Sequence, residues 1–200
     1  MPRPSKRNQI LEAAERVFAD QGYDRATMRG IAEEAGVELP AVTYHFKSKL
    51  NLYRSIFEKY QDWNESRRTA LTRVDTSKPD AVEKIVDAFL LIGLERREDT
   101  RTSDYLRIVL REACDPHAYE RRTIADYFDP MAKDFIAALG RALPHKPSNY
   151  HRWAYLFAVG AYTSTNVEGR AEGLGDQGTA REDRLAYLHR FICAGLRGGE

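Results

Sequence analysis

Cysteine is scarce in these 200 residues. Only Cys114 and Cys193 are present, far apart, each within an apolar helical pattern. That excludes a disulfide-knitted fold, and both thiols are expected to be buried and structural. No apolar run approaches the roughly 18 residues that a membrane helix needs. The opening MPRPSKRNQ has no apolar core behind its charges, so no secretory signal is expected and a cytoplasmic location is. Net charge is nearly absent, at +1, and residues 1–50 hold eight Lys or Arg against seven Asp or Glu. Bulk charge therefore announces no polyanionic partner, and the placement of individual charges has to carry that argument. Period-two alternation long enough for a strand is missing, and so is any internal repeat.

Catalytic constellations are missing as well. The glycines of Gly169-x-x-x-Gly173-x-Gly175 are spaced as in short-chain dehydrogenases, but that motif needs a preceding strand, and here the preceding run is helical. His117, His145 and His151 fit no compact ligand spacing and have no Cys or acidic cluster beside them. No catalytic residue, no metal and no cofactor is expected, and the chain is not read as an enzyme.

What is present is helical periodicity from end to end. Residues 1–6 read as an arm, with Pro2 and Pro4 opposing helix and Arg3 and Lys6 supplying charge. Ile10, Ala13, Ala14, Val17 and Phe18 make the stripe of a first helix that Gly22 stops. A helix from Ser48 carries Leu52, Tyr53, Ile56, Phe57, Tyr60 and Trp63 and runs on to Thr72, roughly 1.5 Å per residue and so over about 30 Å. Further helices are expected over residues 80–97, 101–113, 118–143 (split or kinked near Asp129 by Pro130), 149–170 and 180–196, with the glycine-rich 169–178 as a flexible connector. The fold class is all-α, with about nine helices.

One stretch organises the rest: TMRGIAEEAGVELPAVTYHFKSK, from Thr27 to Lys49. Thr27 can cap a short helix through its hydroxyl. Ile31, Ala32 and Ala35 share one face, and Gly36 supplies the left-handed residue that ends the helix. Val37 points back as an apolar plug. Pro40 suits the first turn of a second helix, where its missing N–H has no partner anyway. Val42 and Phe46 form that helix's inner stripe and leave Ala41, Thr43, Tyr44 and His45 outside. Two short helices around a tight turn, the second with a polar outer face, are the layout of a helix-turn-helix.

The run Phe18, Gly22-Tyr23, Thr27, Ile31-Ala32, Ala35-Gly36-Val37, Tyr44-His45-Phe46 and Ser48-Lys49 resembles the DNA-binding domain of the TetR/AcrR family of transcriptional regulators, over about residues 7–60. The chain departs from the family pattern at Glu38, where a small capping residue is common, and at Pro40, where glycine is common. The resemblance implies a three-helix DNA-binding domain at residues 1–50. It also implies a larger helical ligand-binding and dimerisation domain at 51–200. The protein would be a homodimer on a palindromic double-stranded operator, released by a small-molecule effector, with no membrane partner. Thr27, Arg29, Pro40, Ala41, Thr43, Tyr44, His45 and Lys49 then stand at DNA-facing positions. Arg29 is the main candidate for a base contact, and Lys49, beside free N–H groups of its helix, for a phosphate.

The effector pocket is expected among Trp63, Phe89, Tyr105, Ile108, Tyr127, Tyr162 and Asn166, with Asn166 or Arg107 orienting the ligand, although ordinary core packing accounts for each aromatic taken singly. Ala154, Ala158 and Ala161 permit close helix approach, and Leu185, Leu188 and Ile192 add apolar area, so these six are expected at the dimer interface; the opposing reading is that they face the monomer core. The rival function is a helical ligand-binding module that has lost DNA binding, favoured by Glu38 and the weak net charge.

Overall fold

Ser5 opens the first helix by accepting from the Asn8 backbone N–H at 3.2 Å, and every element among the described residues of the computed structural model is a helix. The structure describes residues 5–95, 100–164 and 168–198, and the side chains of 5–91, 103–163 and 170–198. In chain order the helices are α1 (Lys6–Arg25), α2 (Met28–Ala35), α3 (Leu39–Phe46), α4 (Lys49–Lys59), α5 (Gln61–Thr72), α6 (Ala81–Glu95) and α7 (Thr100–Cys114). They continue with α8 (Ala118–Arg121), α9 (Thr123–Tyr127), α10 (Asp129–Ala142), α11 (Ser148–Ser164), α12 (Glu168–Gly173) and α13 (Arg181–Arg197). The all-α class holds. The expected arm falls partly on residues 1–4, outside the described residues; Ser5 caps and Lys6 begins α1. No described helix is long and apolar enough to cross a membrane.

The chain forms two compact units, one of residues 1–61 and 98–127, the other of 62–97 and 128–200. In the first, the expected α1 stripe is buried against Ile31, Ala32 and Ala35 of α2 and Val42 and Phe46 of α3. Gly22 breaks α1 as expected, at φ 76°, and one further turn follows it. An aromatic cluster extends this core: Phe18 and Tyr23 meet the Tyr53 ring edge-on at 4.8 and 4.9 Å, and Tyr60 stacks on Tyr105 at 4.0 Å.

In the second unit, Val82, Ile85, Val86 and Phe89 of α6 pack with Met131, Phe135 and Leu139 of α10. Tyr155 of α11 and Leu185, Leu188 and Ile192 of α13 complete that core.

Three boundaries differ from the sequence reading. The long helix expected from Ser48 to Thr72 is two helices, because Tyr60 leaves helical geometry at φ −107°, ψ 13°. No proline or glycine marks the break. The Tyr60 ring is committed to Tyr105 and its hydroxyl to the buried Glu15 carboxylate at 3.3 Å, so tertiary partners override local helix preference. The helix expected over 118–143 divides near Asp129 as Pro130 predicts, with Pro130 in the first turn of α10, but it also breaks, unexpectedly, at Arg122, a left-handed residue at φ 56°. The first part of the glycine-rich connector expected over residues 169–178 is helical, within α12.

Candidate nucleic-acid interface and ligand core

The turn motif is built as its residue types dictate. The Thr27 hydroxyl accepts from Gly30 N–H at 3.0 Å and caps α2. Gly36 ends α2 in the left-handed region, at φ 62°, ψ 37°, with its N–H reaching back to the helix carbonyls. Glu38 precedes α3 without a side-chain cap, and Pro40 occupies the first turn. Val42 and Phe46 are buried, which fixes the rotation of α3 and turns Thr43 and Tyr44 outward. Tyr44 is 73% exposed, its ring 5.2 Å from that of the half-buried His45. Pro40 is exposed and Ala41 half-buried. Arg29 is exposed and pairs with Glu33 at 3.3 Å.

Lys47 went unnoticed in the sequence. It sits between α3 and α4 at φ 66°, where a side chain is strained, and its ammonium lies 5.4 Å from the Tyr44 ring. A lysine held at a glycine-like turn beside the exposed tyrosine is a cation at the rim of this face. The signal was the turn between two short helices, where glycine would have been the easy residue.

Lys49 is arranged differently from the expectation. Its ammonium donates to the carbonyls of Tyr23, Asp24 and Ala26 at 2.9, 3.3 and 3.1 Å and lies 4.4 Å from the Tyr23 ring. An ammonium has three donors, and all three are used on the turn that leads into α2. The side chain is therefore a clamp on the motif rather than a cation waiting for phosphate. Ser48 caps α4 as expected, accepting from Asn51 N–H at 3.1 Å.

On the other side of Tyr23 lies a buried polar cluster. The Arg121 guanidinium is 4.8 Å from the Tyr23 ring and 2.8 Å from Glu112, and it also bonds Asp115. Glu112 further accepts from the Tyr53 hydroxyl at 3.0 Å and from Thr123. Burial works against the Arg121 charge, and the bonds to Glu112 and Asp115 more than reverse it, so its pKa rises. Burial, then Glu112, pushes the Tyr53 hydroxyl up as well. Glu15, also buried, meets Lys59 at 2.6 Å; burial raises its pKa and Lys59 opposes the rise.

The residues expected to line a pocket are divided between the units. Tyr105, Ile108 and Tyr127 lie in the first, and Trp63, Phe89 and Tyr162 in the second. Asn166 lies outside the described residues. Arg107, expected to orient a ligand, instead pairs with Asp20 at 2.9 Å and Asp104 at 3.4 Å. The cation that does stand among the second unit's aromatics is Arg67, 8% exposed. Its guanidinium carbon is 5.9 Å from the Phe89 ring and 5.6 Å from that of Tyr162. Its Nε is buried with no hydrogen-bond partner. Burial pushes the nearby Tyr155 hydroxyl up to about 12, and the Arg67 charge pulls against that rise. The sequence carried a signal for Arg67: it falls between Trp63 and Leu71 at i, i+4, i+8, on the inner stripe of α5.

The residues expected at the dimer interface lie in or against the second unit's own core, the opposing reading for them. Ala154 and Ala158 of α11 and Leu185, Leu188 and Ile192 of α13 are buried in the second unit's own core, with Ala161 packed against it. These two helices carry apolar residues on both sides, so small-residue spacing alone could not choose between them. The opposite faces expose Trp153, Leu156 and Phe157 on α11 and Tyr187 and Phe191 on α13, each more than half accessible. Cys193 is buried as expected, but Cys114 is exposed at the end of α7.

Residues 10–56 match the sequence profile of "Bacterial regulatory proteins, tetR family", and residues 87–195 that of "Tetracyclin repressor-like, C-terminal domain". The transcriptional activator FasR of Mycolicibacterium smegmatis is 38% identical over 89 residues, 44% of this chain and 41% of that protein. The transcriptional repressor KstR2 of the same organism is 31% identical over 86 residues, 43% of this chain and 40% of that protein. The chain thus aligns with less than half the length of either relative. The multidrug binding protein EbrR, solved with malachite green, superposes with a TM-score of 0.61 at 20% identity, over 94% of this chain and 99% of that one, which speaks for the fold alone. The two profiles meet the capped turn motif at one end of the chain and the α6–α13 core at the other, and the chain belongs to the tetR family of bacterial regulatory proteins.

Proposed function

We propose that the chain is a ligand-responsive transcriptional regulator, a repressor that grips a palindromic operator as a homodimer and lets go when a small molecule binds. The observation that carries this reading is α3, whose buried Val42 and Phe46 leave Thr43 and Tyr44 presented to solvent behind a capped, clamped turn. DNA binding belongs to residues 1–50, and effector binding and dimerisation to residues 51–200. Pro40, Ala41, Thr43, Tyr44 and His45 face the major groove, Thr27 and Arg29 approach from α2, and Lys47 joins them at the rim. Lys49 supports this surface as a clamp. The protein works in the cytoplasm by binding and release, with no reaction of its own.

Dimerisation uses the exposed faces of α11 and α13. Trp153, Leu156, Phe157, Tyr187 and Phe191 form apolar area of the kind that a second copy covers. Gly160 and Gly195 stand on these faces, with open space where a side chain would begin.

Selection of duplexes from a random pool, followed by gel shift, tests the reading. A palindromic site should emerge, and Tyr44→Ala should weaken its binding about tenfold with the helical content unchanged. Recovery of no sequence at all would favour the ligand-binding module without DNA. Sedimentation of Phe191→Asp should give a folded monomer where the parent is a dimer; a persistent dimer would place the interface elsewhere.

A further inference from the structure

Among the described residues, Arg67 is the least explained charge. A guanidinium does not shed its proton inside a protein, so it stays charged wherever it is buried. In the described structure it has no carboxylate partner, and its Nε has no acceptor at all. The rings of Phe89 and Tyr162 offer their π faces, which relieve only part of the lost hydration. The neighbouring arginine shows the contrast: Arg68 is spent on Asp134 at 2.6 Å and Glu65 at 3.2 Å. One unspent, always-charged fork within an aromatic surround asks for a flat, singly charged anion with an apolar body.

We propose that Arg67 anchors the effector site and that the effector is an apolar molecule bearing one carboxylate, held at Arg67 with its body against Phe89, Tyr155 and Tyr162. A guanidinium and a carboxylate match two N–H donors to two oxygens. One cation balances one negative charge, which favours a carboxylate over a phosphate dianion. The three rings already lie about one another, Phe89 at 6.0 Å from Tyr155 and 5.9 Å from Tyr162, both edge-on. This inference rests on reading the second unit as the effector-binding part of a regulator.

Calorimetry on the full chain with matched pairs tests it: 2-naphthoate against 2-naphthamide, and decanoate against decanamide. At least one acid should bind about tenfold more tightly than its amide, the discrimination that one charge-assisted bidentate pair supplies. Arg67→Met should abolish that difference by weakening the acid far more than the amide. The ligand-free variant should melt at or above the parent's temperature, because an uncompensated buried charge has been removed. Equal binding of acid and amide, binding of neither acid, or retained preference in Arg67→Met would overturn the proposal. So would a large fall in the variant's melting temperature, which would make Arg67 a structural residue, or equal protection by sulfate, which would make the site one for bare anions. A gel shift run on the same preparations separates this result from the wider reading. Retained operator binding without acid preference sinks only the effector class, and acid preference without any DNA binding sinks only the regulator.

Discussion

Glu112 and Arg67 are both nearly closed off from solvent, at 1% and 8% exposure, one in each compact unit. Around Glu112 the chain supplies every partner: the Tyr53 hydroxyl, the Thr123 hydroxyl and the Arg121 guanidinium, which is itself shared with Asp115. Around Arg67 it supplies rings. Among the described residues, the first unit satisfies its buried carboxylate from within, and the second leaves the Nε of a buried cation without an acceptor, at the place proposed above for the effector. Glu112→Ala is the harshest test of that contrast. It leaves Arg121 with Asp115 as its one carboxylate and two hydroxyls without that acceptor, and should cost about 3–5 kcal/mol in denaturant unfolding. A loss below about 1 kcal/mol would mean that a completed cluster and an open one are worth the same, and the comparison would fail.

Lys49 sharpens the same contrast at smaller scale. Its three carbonyl partners make it part of the finished unit, so Lys49→Met should destabilise by about 2 kcal/mol, in the range for hydrogen bonds from a charged group. Operator affinity should fall with it, through misplacement of the turn before α2. The salt dependence of binding tells this from a phosphate contact. With a clamp the slope stays at the parent's value, whereas loss of a direct phosphate contact would lower it by about one unit.

Much of the first unit was legible because its signals are local. Thr27, Gly36, Pro40 and Ser48 each act on groups within a few residues, and Val42 and Phe46 set the rotation of α3 by their spacing alone. What could not be read depends on partners far along the chain. The break at Tyr60 is fixed by Glu15 and Tyr105, 45 residues away on either side. The clamp at Lys49 is fixed by carbonyls 23–26 residues earlier, which no side-chain pattern encodes. On α11 and α13 both faces are apolar, so the period identifies a helix and leaves its inner side ambiguous; burial of Leu188 against exposure of Phe191 decides it. Arg67 sat on an inner stripe in plain view, but an arginine reads as surface until its partners are found missing.

The gentlest test concerns a place where the second unit ties α6 to α13 through charge at its surface. Arg197 reaches Glu83 at 2.6 and 2.7 Å and the Pro79 carbonyl at 3.2 Å. The Arg197 hydrogen bond holds the Glu83 carboxyl below its ordinary value of 4.5, against the opposing effect of burial. A carboxylate whose pKa is lowered by folding stabilises the fold above its unfolded value, and that contribution fades as pH falls through the folded one. The parent should therefore lose protection at the C-terminal turn of α13 below the ordinary glutamate range, read by hydrogen exchange, while Glu83→Gln should show a flatter pH profile. Both partners are more than a third exposed, so the effect on global stability should be slight. A steep acid transition that vanished in Glu83→Gln would show that this unit also relies on a closed ion pair, placed at its rim, and would narrow its difference from the first unit to Arg67 alone.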